Sequence, residues 1–218
     1  MLALVGGDEW RDGCTFDAEL LEASGGAEVL VLPTAAAFEH PERAVDTARQ
    51  WFAGLGGEVR PLMVLRRADA MDAESAATVR AARFVYLSGG SPLHLRSVLK
   101  DSTLWEALVH AWADGAVVAG SSAGAMTLCD PMVDPRGGAF TVGLGLVTQL
   151  AVVPHRTTWS EDKLRRAIEL AERGIPLVAI DERTALVRRS DGSWDVQGSG
   201  TVSVFVDGQP AGLDALPH

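Results

Sequence analysis

The chain has 218 residues, a formal net charge of −10, 47% apolar residues and 22% charged residues. This length and composition are typical of one globular unit, so we expect residues 1–218 to form a single domain and we exclude intrinsic disorder. The acidic balance argues against a nucleic acid or an anionic membrane as a partner, because both attract clustered lysine and arginine. A small molecule or a protein remains as the partner, and no oligomeric state is indicated.

The amino-terminal segment MLALVGGDEW lacks the basic leader and the long apolar stretch of a signal peptide. No other apolar run approaches the roughly 20 residues that span a bilayer. We therefore expect a cytoplasmic protein. Cys14 and Cys129 are isolated and show no Cys/His spacing typical of a metal site. The sequence predicts neither a disulfide nor a metal site.

Short β-branched runs alternate with helical segments along most of the chain. The runs predict buried strands at 2–7, 28–34, 58–65, 84–90 and 115–121. Helical periodicity predicts helices at 41–55, 73–83, 103–114 and 160–173. This alternation predicts an α/β fold, a three-layer α/β/α sandwich with a mainly parallel sheet and right-handed crossovers.

After Ile180 the pattern changes to short alternating segments separated by Asp-Gly and Gly-Ser-Gly turns. These segments predict a carboxyl-terminal extension of antiparallel hairpins at one edge of the sheet. Asp181 ends the strand-like segment PLVAID, and Glu182 follows it directly. A strand end can bring a carboxylate to a ligand site, but such residues more often form turns.

The segment AVVAGSSAGAM at 116–126 contains the pattern GxSxG between an apolar strand and a helical stretch. A sharp strand-to-helix turn lifts the central side chain above the sheet edge. Ser122 is therefore the candidate nucleophile, at a helix start where backbone N–H groups stabilise an oxyanion. The alternative is a tight turn, or an anion-binding nest without chemistry.

A serine nucleophile needs a general base, and the chain has five histidines. His155 ends the strand-like segment LAVVPH, where α/β folds place catalytic groups, and we favour it. His94 follows SGGSP and competes for the role. His40 lies in a loop, His110 in an amphipathic helix, and His218 is the last residue.

The third group of such a site is a carboxylate that orients the imidazole. The only acidic residues between Ser122 and His155 are Asp130 and Asp134. We favour Asp134 because the irregular segment 129–145 can turn it toward the site. Both aspartates precede a proline, where a turn-forming role is the alternative.

The segment YLSGGSPLHL at 86–95 is a predicted strand that ends in two glycines and leads into a helix. Paired glycines let the backbone approach a ligand closely. The N–H groups of Gly90 and Ala123 are therefore candidate oxyanion donors. A flexible turn is the alternative for the glycine pair.

Five segments together resemble the peptidase E and cyanophycinase family of serine peptidases: GSSAGAM, YLSGGSPLHL, GLGL at 143–146, VVPH at 152–155 and AIDERTAL at 179–186. VGGDE and VLPTAA resemble the cyanophycinase branch. The resemblance covers most of the chain and implies a sheet related to class I glutamine amidotransferases. It implies Ser122 as nucleophile, His155 as base, and Gly90 with Ala123 as oxyanion hole. The family's chain order of serine, acid and histidine favours Asp134.

Two features depart from the family pattern. The loop after the serine looks shorter, and the segment HRTTWSEDKLRR carries Trp159, Glu161 and Leu164 where members that cleave beside aspartate carry arginines. Arg156 is the candidate substitute for one of those arginines. Trp159 is a candidate apolar wall of the substrate pocket, with packing beneath a loop as the alternative.

We therefore expect a serine peptidase that hydrolyses a peptide or isopeptide bond in a small peptide substrate through an acyl-enzyme. An esterase or acyltransferase would use the same serine and histidine. A catalytically silent domain that binds a small anion at the Ser122 turn is the alternative from another class. Neither a metal nor a cofactor is expected.

Overall fold

The computed structural model describes residues 1–136 and 138–217. The strands are β1 Leu2–Val5, β2 Glu28–Leu32, β3 Glu58–Pro61, β4 Phe84–Leu87, β5 Val117–Ser121, β6 Cys129–Asp130, β7 Met132–Val133, β8 Phe140–Thr141, β9 Val147–Thr148, β10 Ala151–Val153, β11 Leu177–Ile180, β12 Thr184–Arg188, β13 Trp194–Gly198, β14 Val202–Val206 and β15 Gln209–Ala211. The α-helices are α1 Phe16–Ala23, α2 Pro41–Gly54, α3 Arg67–Ala70, α4 Ala73–Ala81, α5 Pro92–Leu99, α6 Thr103–Ala113, α7 Ala123–Leu128 and α8 Glu161–Leu170. Short 3-10 turns lie at Thr34–Ala36, Arg156–Thr158 and Leu213–Ala215.

The predicted helices are present, and side-chain caps define where three of them begin. Asp72, Ser102 and Ser160 precede α4, α6 and α8, and each side chain accepts a hydrogen bond from the backbone N–H three residues later. Such caps satisfy an N–H group that has no partner inside the helix. None of the helices within 1–136 and 138–217 is long and apolar enough to cross a membrane.

The main sheet has seven strands in the order β13-β12-β1-β5-β4-β2-β3. The five strands from β1 to β3 in this order run parallel, and β12 and β13 pair antiparallel at the β1 side. The predicted α/β class with a mainly parallel sheet is confirmed, as is an antiparallel hairpin at one edge. The carboxyl ends of β1, β4 and β5 meet at one edge of this sheet.

Alternate residues of each parallel strand enter two different hydrophobic clusters. In β1, Leu2 and Leu4 belong to one cluster, and Ala3 and Val5 belong to the other. The second cluster includes Phe16 and Phe52 of α1 and α2, while α5, α6 and α7 pack into the first. Helices therefore cover both faces of the sheet, which gives the three layers.

A second sheet of four strands, in the order β10-β11-β14-β15, packs against the same core. Here the expectation that all terminal hairpins extend the main sheet was wrong, because β14 pairs with β11 and β15 with β14. The alternation of apolar and polar residues in β14 is compatible with pairing in either sheet. Tertiary packing determines that β14 pairs with β11. The strand β11 pairs in parallel with β10, with Val153 opposite Ala179.

Candidate active site

Ser122 is the single residue between β5 and α7, and its backbone has an unusual conformation. Its φ is 49° and its ψ is −103°, in a region that costs a non-glycine residue about 1–3 kcal/mol. Hydrogen bonds hold it there, because Ser122 N donates to Val5 O at 2.9 Å and Met126 N donates to Ser122 O at 3.0 Å. This geometry is the sharp turn that presents a nucleophile above a sheet edge.

The glycines on either side of Ser122 make this turn possible. A Cβ at Gly120 would lie 2.6 Å from the backbone of Gly124, and a Cβ at Gly124 would lie 2.6 Å from Leu87 O. Both distances are far below van der Waals contact, so α7 packs against β4 and β5 only when these positions lack side chains.

His155 brings its imidazole to Ser122 from the segment after β10. The distance from His155 Nε2 to Ser122 Oγ is 2.9 Å. The histidine backbone has φ 50° and donates its N–H to Gly6 O at 2.8 Å. A Cβ at Gly7 would lie 2.1 Å from His155 Cε1. The imidazole ring therefore packs directly against the backbone of Gly7, just after β1, and a side chain there would displace it.

Glu182 is the carboxylate that faces the other side of the imidazole. Its Oε1 lies 3.3 Å from His155 Nδ1, and its Oε2 accepts a hydrogen bond from the Thr157 hydroxyl. Burial raises the pKa of Glu182, but the hydrogen bond from Thr157, the residue's own backbone N–H and the charge of His155 together lower the pKa below its ordinary value. The carboxylate therefore stays ionised at neutral pH and can fix the ring's orientation and tautomer.

The structure does not bring Asp134 to His155, and this corrects the expectation for the third group. The Asp134 carboxylate accepts hydrogen bonds from Arg136 N at 2.9 Å, Nε at 3.0 Å and Nη2 at 2.7 Å. These bonds lower the pKa of Asp134 to about 2. Asp130 Oδ1 accepts from Gly143 N at 2.9 Å. Both aspartates thus accept hydrogen bonds from residues of their own loop, while Glu182 lies beside the imidazole ring of His155.

A signal for Glu182 existed in the sequence, but its meaning depends on strand pairing. Glu182 and His155 each follow a short apolar strand by two residues. Because β10 and β11 are parallel neighbours, the segments after them leave the sheet at the same edge. The sequence alone did not reveal that these two strands pair.

The two glycines after β4 lie directly beside the serine. A Cβ at Gly89 would be 3.5 Å from Ser122 Cβ. Gly90 has φ +136°, and a Cβ there would lie 2.3 Å from Ala35 O, so only glycine fits. Within the described residues, the N–H groups of Gly90 and Ala123 have no hydrogen-bond acceptor.

Three other candidate residues have contacts outside the pair formed by Ser122 and His155. Arg156 Nη1 lies 3.4 Å from Asp181 Oδ1. Trp159 is partly buried against the core, and Lys163 Nζ lies 3.9 Å from the centre of its ring. His94 Nε2 is 2.9 Å from Leu65 O rather than beside the serine. His218 lies outside the described residues.

Comparisons with known proteins identify the family of this chain. The model of Peptidase family S51 matches residues 2–194. The cyanophycinase of Synechococcus elongatus is 26% identical over 217 residues, which cover 94% of this chain and 67% of that protein. The cyanophycinase of Trichormus variabilis is 30% identical over 166 residues, 70% of this chain and 55% of that protein.

Two solved structures are also similar. The crystal structure of a peptidase from an acI-B1 actinobacterium is 30% identical, with a TM-score of 0.86 over 96% of this chain and 92% of that chain. A putative peptidase E protein from Listeria monocytogenes shares the fold at 21% identity, with a TM-score of 0.68 over 91% of this chain and 96% of that chain. The predicted family is confirmed: the chain belongs to peptidase family S51, the family of peptidase E and cyanophycinase, and is a serine-type peptidase.

Proposed function

We propose that this chain hydrolyses a peptide or isopeptide bond in a small, dipeptide-like substrate through an acyl-enzyme on Ser122. The observation that carries this proposal is the 2.9 Å contact between Ser122 Oγ and His155 Nε2, with Glu182 at the other ring nitrogen. A nucleophile, a base and an orienting carboxylate in this order are what activate a serine hydroxyl.

The first step is attack on the substrate carbonyl. His155 Nε2 takes the proton from Ser122 Oγ as the oxygen bonds to the carbonyl carbon, which gives a tetrahedral intermediate. Glu182 accepts a hydrogen bond from Nδ1–H and stabilises the imidazolium that forms. The lowered pKa of Glu182 supports this role, because the carboxylate is ionised at neutral pH.

The negative charge that develops on the carbonyl oxygen needs donors. We assign this role to the N–H groups of Gly90, on the segment after β4, and of Ala123, the residue after Ser122. Both N–H groups lack an acceptor among the described residues. Donors that are fixed before the reaction stabilise the transition state without reorganisation.

The reaction is completed in two stages, acylation of the serine and hydrolysis of the acyl-enzyme. His155 Nε2–H protonates the leaving nitrogen, the C–N bond breaks, and the acyl group remains on Ser122 Oγ. A water molecule gives a proton to His155 as it attacks the ester, and the serine recovers that proton when the carboxylic acid leaves.

We assign substrate contacts to Arg156 and Trp159, which follow His155 in the chain. A guanidinium has five N–H donors, so the ion pair between Arg156 and Asp181 leaves capacity for a substrate carboxylate. Trp159, three residues after Arg156, offers an apolar ring. Arg156→Met is expected to raise KM most for dipeptides with an acidic side chain.

The test is hydrolysis of a dipeptide library that includes aspartyl and isoaspartyl members. Wild-type protein, Ser122→Ala and the exposed control Ser97→Ala are compared, and rapid-quench mass spectrometry detects the acyl adduct on Ser122. Cleavage by the wild type and by Ser97→Ala, but not by Ser122→Ala, supports the proposal. Equal cleavage by all three proteins would exclude Ser122 as the nucleophile. Cleavage of esters alone would favour the esterase alternative.

A further inference from the structure

Glu9 joins the end of β5, which leads into Ser122, to the segment after β4 that carries Gly90. Its Oε1 accepts a hydrogen bond from Gly89 N at 2.8 Å, and its Oε2 accepts one from the Ser121 hydroxyl at 2.7 Å. Glu9 itself follows β1, so one carboxylate links the ends of β1, β4 and β5. Ser121 is fully buried, which makes its bond to Glu9 costly to lose.

The bond to Gly89 fixes one side of the amide that we assign to the oxyanion hole. On the other side, Ser91 N donates to Ala35 O at 2.8 Å. The amide of Gly90 is therefore held between two anchored amides. Since glycine is permissive in φ and ψ, the position of the Gly90 N–H depends on these anchors.

The bond to Ser121 acts on the nucleophile. Ser121 immediately precedes Ser122 and is the last residue of β5. The strained backbone of Ser122 persists only if its neighbours are held in place. Glu9 thus touches both the residue before the nucleophile and the residue before the oxyanion donor.

We propose that Glu9 is a positioning residue, which sets the Gly90 N–H and Ser122 Oγ at the spacing that the tetrahedral intermediate requires. This proposal rests on the proposed function of Ser122 and Gly90. Both oxygens of Glu9 accept from neutral donors, so the role depends on hydrogen-bond geometry. A glutamine can reproduce it, with its carbonyl accepting from Gly89 N–H and its amide donating to Ser121 Oγ.

The experiment compares Glu9→Ala, Glu9→Gln, Ser121→Ala and the double variant Glu9→Ala/Ser121→Ala, with the exposed Glu22→Ala as control. Two readouts are measured. The first is steady-state kinetics, which gives kcat and KM for the best dipeptide, and the second is the rate at which a fluorophosphonate labels Ser122, followed by intact mass. The second readout needs no natural substrate. Thermal unfolding of each variant reports folding.

Glu9→Ala is expected to lower kcat and the labelling rate by about 10- to 100-fold, because small displacements in an active site have effects of this size. KM should change by less than about threefold, since both carboxylate oxygens of Glu9 bond to Gly89 and Ser121. Glu9→Gln should remain within about threefold of wild type, as should Glu22→Ala. Adding Ser121→Ala to Glu9→Ala should have little further effect, because the two residues share one interaction.

Wild-type rates in Glu9→Ala would overturn the proposal, and so would a loss in Glu9→Gln as large as in Glu9→Ala. If Glu9→Ala fails to fold, Ser121→Ala decides: unchanged kcat and labelling would overturn the proposal, and a lowered kcat at constant KM would support it. Dipeptide hydrolysis that survives in Ser122→Ala would instead refute the proposed function. These failures are distinct, because labelling of Ser122 is measured apart from hydrolysis.

Discussion

Asp17 is a buried carboxyl group whose surroundings predict how stability changes with pH. It lies in α1 with no exposed surface, and its Oδ2 accepts a hydrogen bond from Trp51 Nε1 at 2.8 Å. Burial raises the pKa of Asp17 to about 8, against the effect of the Trp51 bond and with a further rise from the charge of Glu9. At pH 7 the folded protein therefore holds this carboxyl mostly protonated.

In the unfolded chain the same carboxyl ionises near its ordinary pKa of 3.8. A group whose pKa is raised by folding contributes stability that is complete below the unfolded pKa and is lost as the pH rises through the folded pKa. Between these two values the native state binds one more proton than the unfolded state. The contribution of Asp17 to the free energy of unfolding then falls by about 1.4 kcal/mol per pH unit, or about 3 kcal/mol from pH 5 to pH 7.

Asp17→Asn removes this titration and keeps an oxygen that accepts from Trp51. Urea unfolding at several pH values gives the free energy of unfolding of wild type and variant. The variant should gain about 3 kcal/mol relative to wild type from pH 5 to pH 7, and the gain should level off above about pH 8. Burial also raises the pKa of Cys14 to about 11 and the pKa of Tyr86 well above its ordinary value, so neither titrates in this window.

Asp12→Asn is the matched control, because it removes a carboxylate from the exposed surface. Its free energy of unfolding is measured at the same pH values, and the pH dependence of Asp17→Asn is compared with it. A difference between wild type and Asp17→Asn that stays constant from pH 5 to pH 8 would refute the reasoning, since it would mean that folding does not perturb this carboxyl.

Three further predictions concern the site. Glu182→Gln keeps the side-chain shape but loses the charge beside the imidazole, so kcat should fall by about a hundredfold or more. The kcat of Asp134→Asn should stay within about twofold of wild type, because that carboxylate binds Arg136. Steady-state kinetics that rank the two variants in the opposite order would favour Asp134 as the carboxylate that orients His155. Gly7→Ala should abolish fluorophosphonate labelling of Ser122, because its Cβ collides with His155. The control Gly56→Ala also has a positive φ, but the space around its Cβ is open, so this variant should be labelled at the wild-type rate. Equal labelling rates for the two variants would contradict the position of the His155 ring. Ionised Glu182 contributes to the free energy of unfolding, and because folding lowers its pKa this contribution is present above the unfolded pKa and is lost as the pH falls through the folded pKa. Urea unfolding should therefore show wild type losing stability relative to Glu182→Gln as the pH falls below about 5. A difference between the two proteins that stays constant over this acidic range would contradict the lowered pKa.

Local signals in the sequence predicted the serine half of the site. The glycines around Ser122, the apolar strand before it and the helix after it lie within one short segment, so the turn follows from neighbouring residues. The position of His155 at a strand end also led to the contact that the structure contains. In the same way, the boundaries of α2 follow from Pro41 and from the glycines after the helix.

The carboxylate half could not be predicted in this way. Glu182 reaches His155 only because β10 and β11 pair in parallel, across a separation of 27 residues in the chain. Strand pairing depends on packing with β14 and the core rather than on local propensity. The expected chain order of serine, acid and histidine also directed attention to Asp134, which lies after the serine but binds Arg136.

The proposed nucleophile and the groups proposed to activate it follow strands of two different hydrogen-bonded sheets. Ser122 follows β5 of the seven-stranded sheet, whereas His155 and Glu182 follow β10 and β11 of the four-stranded sheet. Backbone bonds at the end of β1 connect the two, since Gly6 O accepts from His155 N and Gly7 O accepts from Arg183 N. Hydrolysis therefore requires that the two sheets keep their relative position, so any change that displaces the four-stranded sheet should abolish activity even where the seven-stranded sheet keeps its structure.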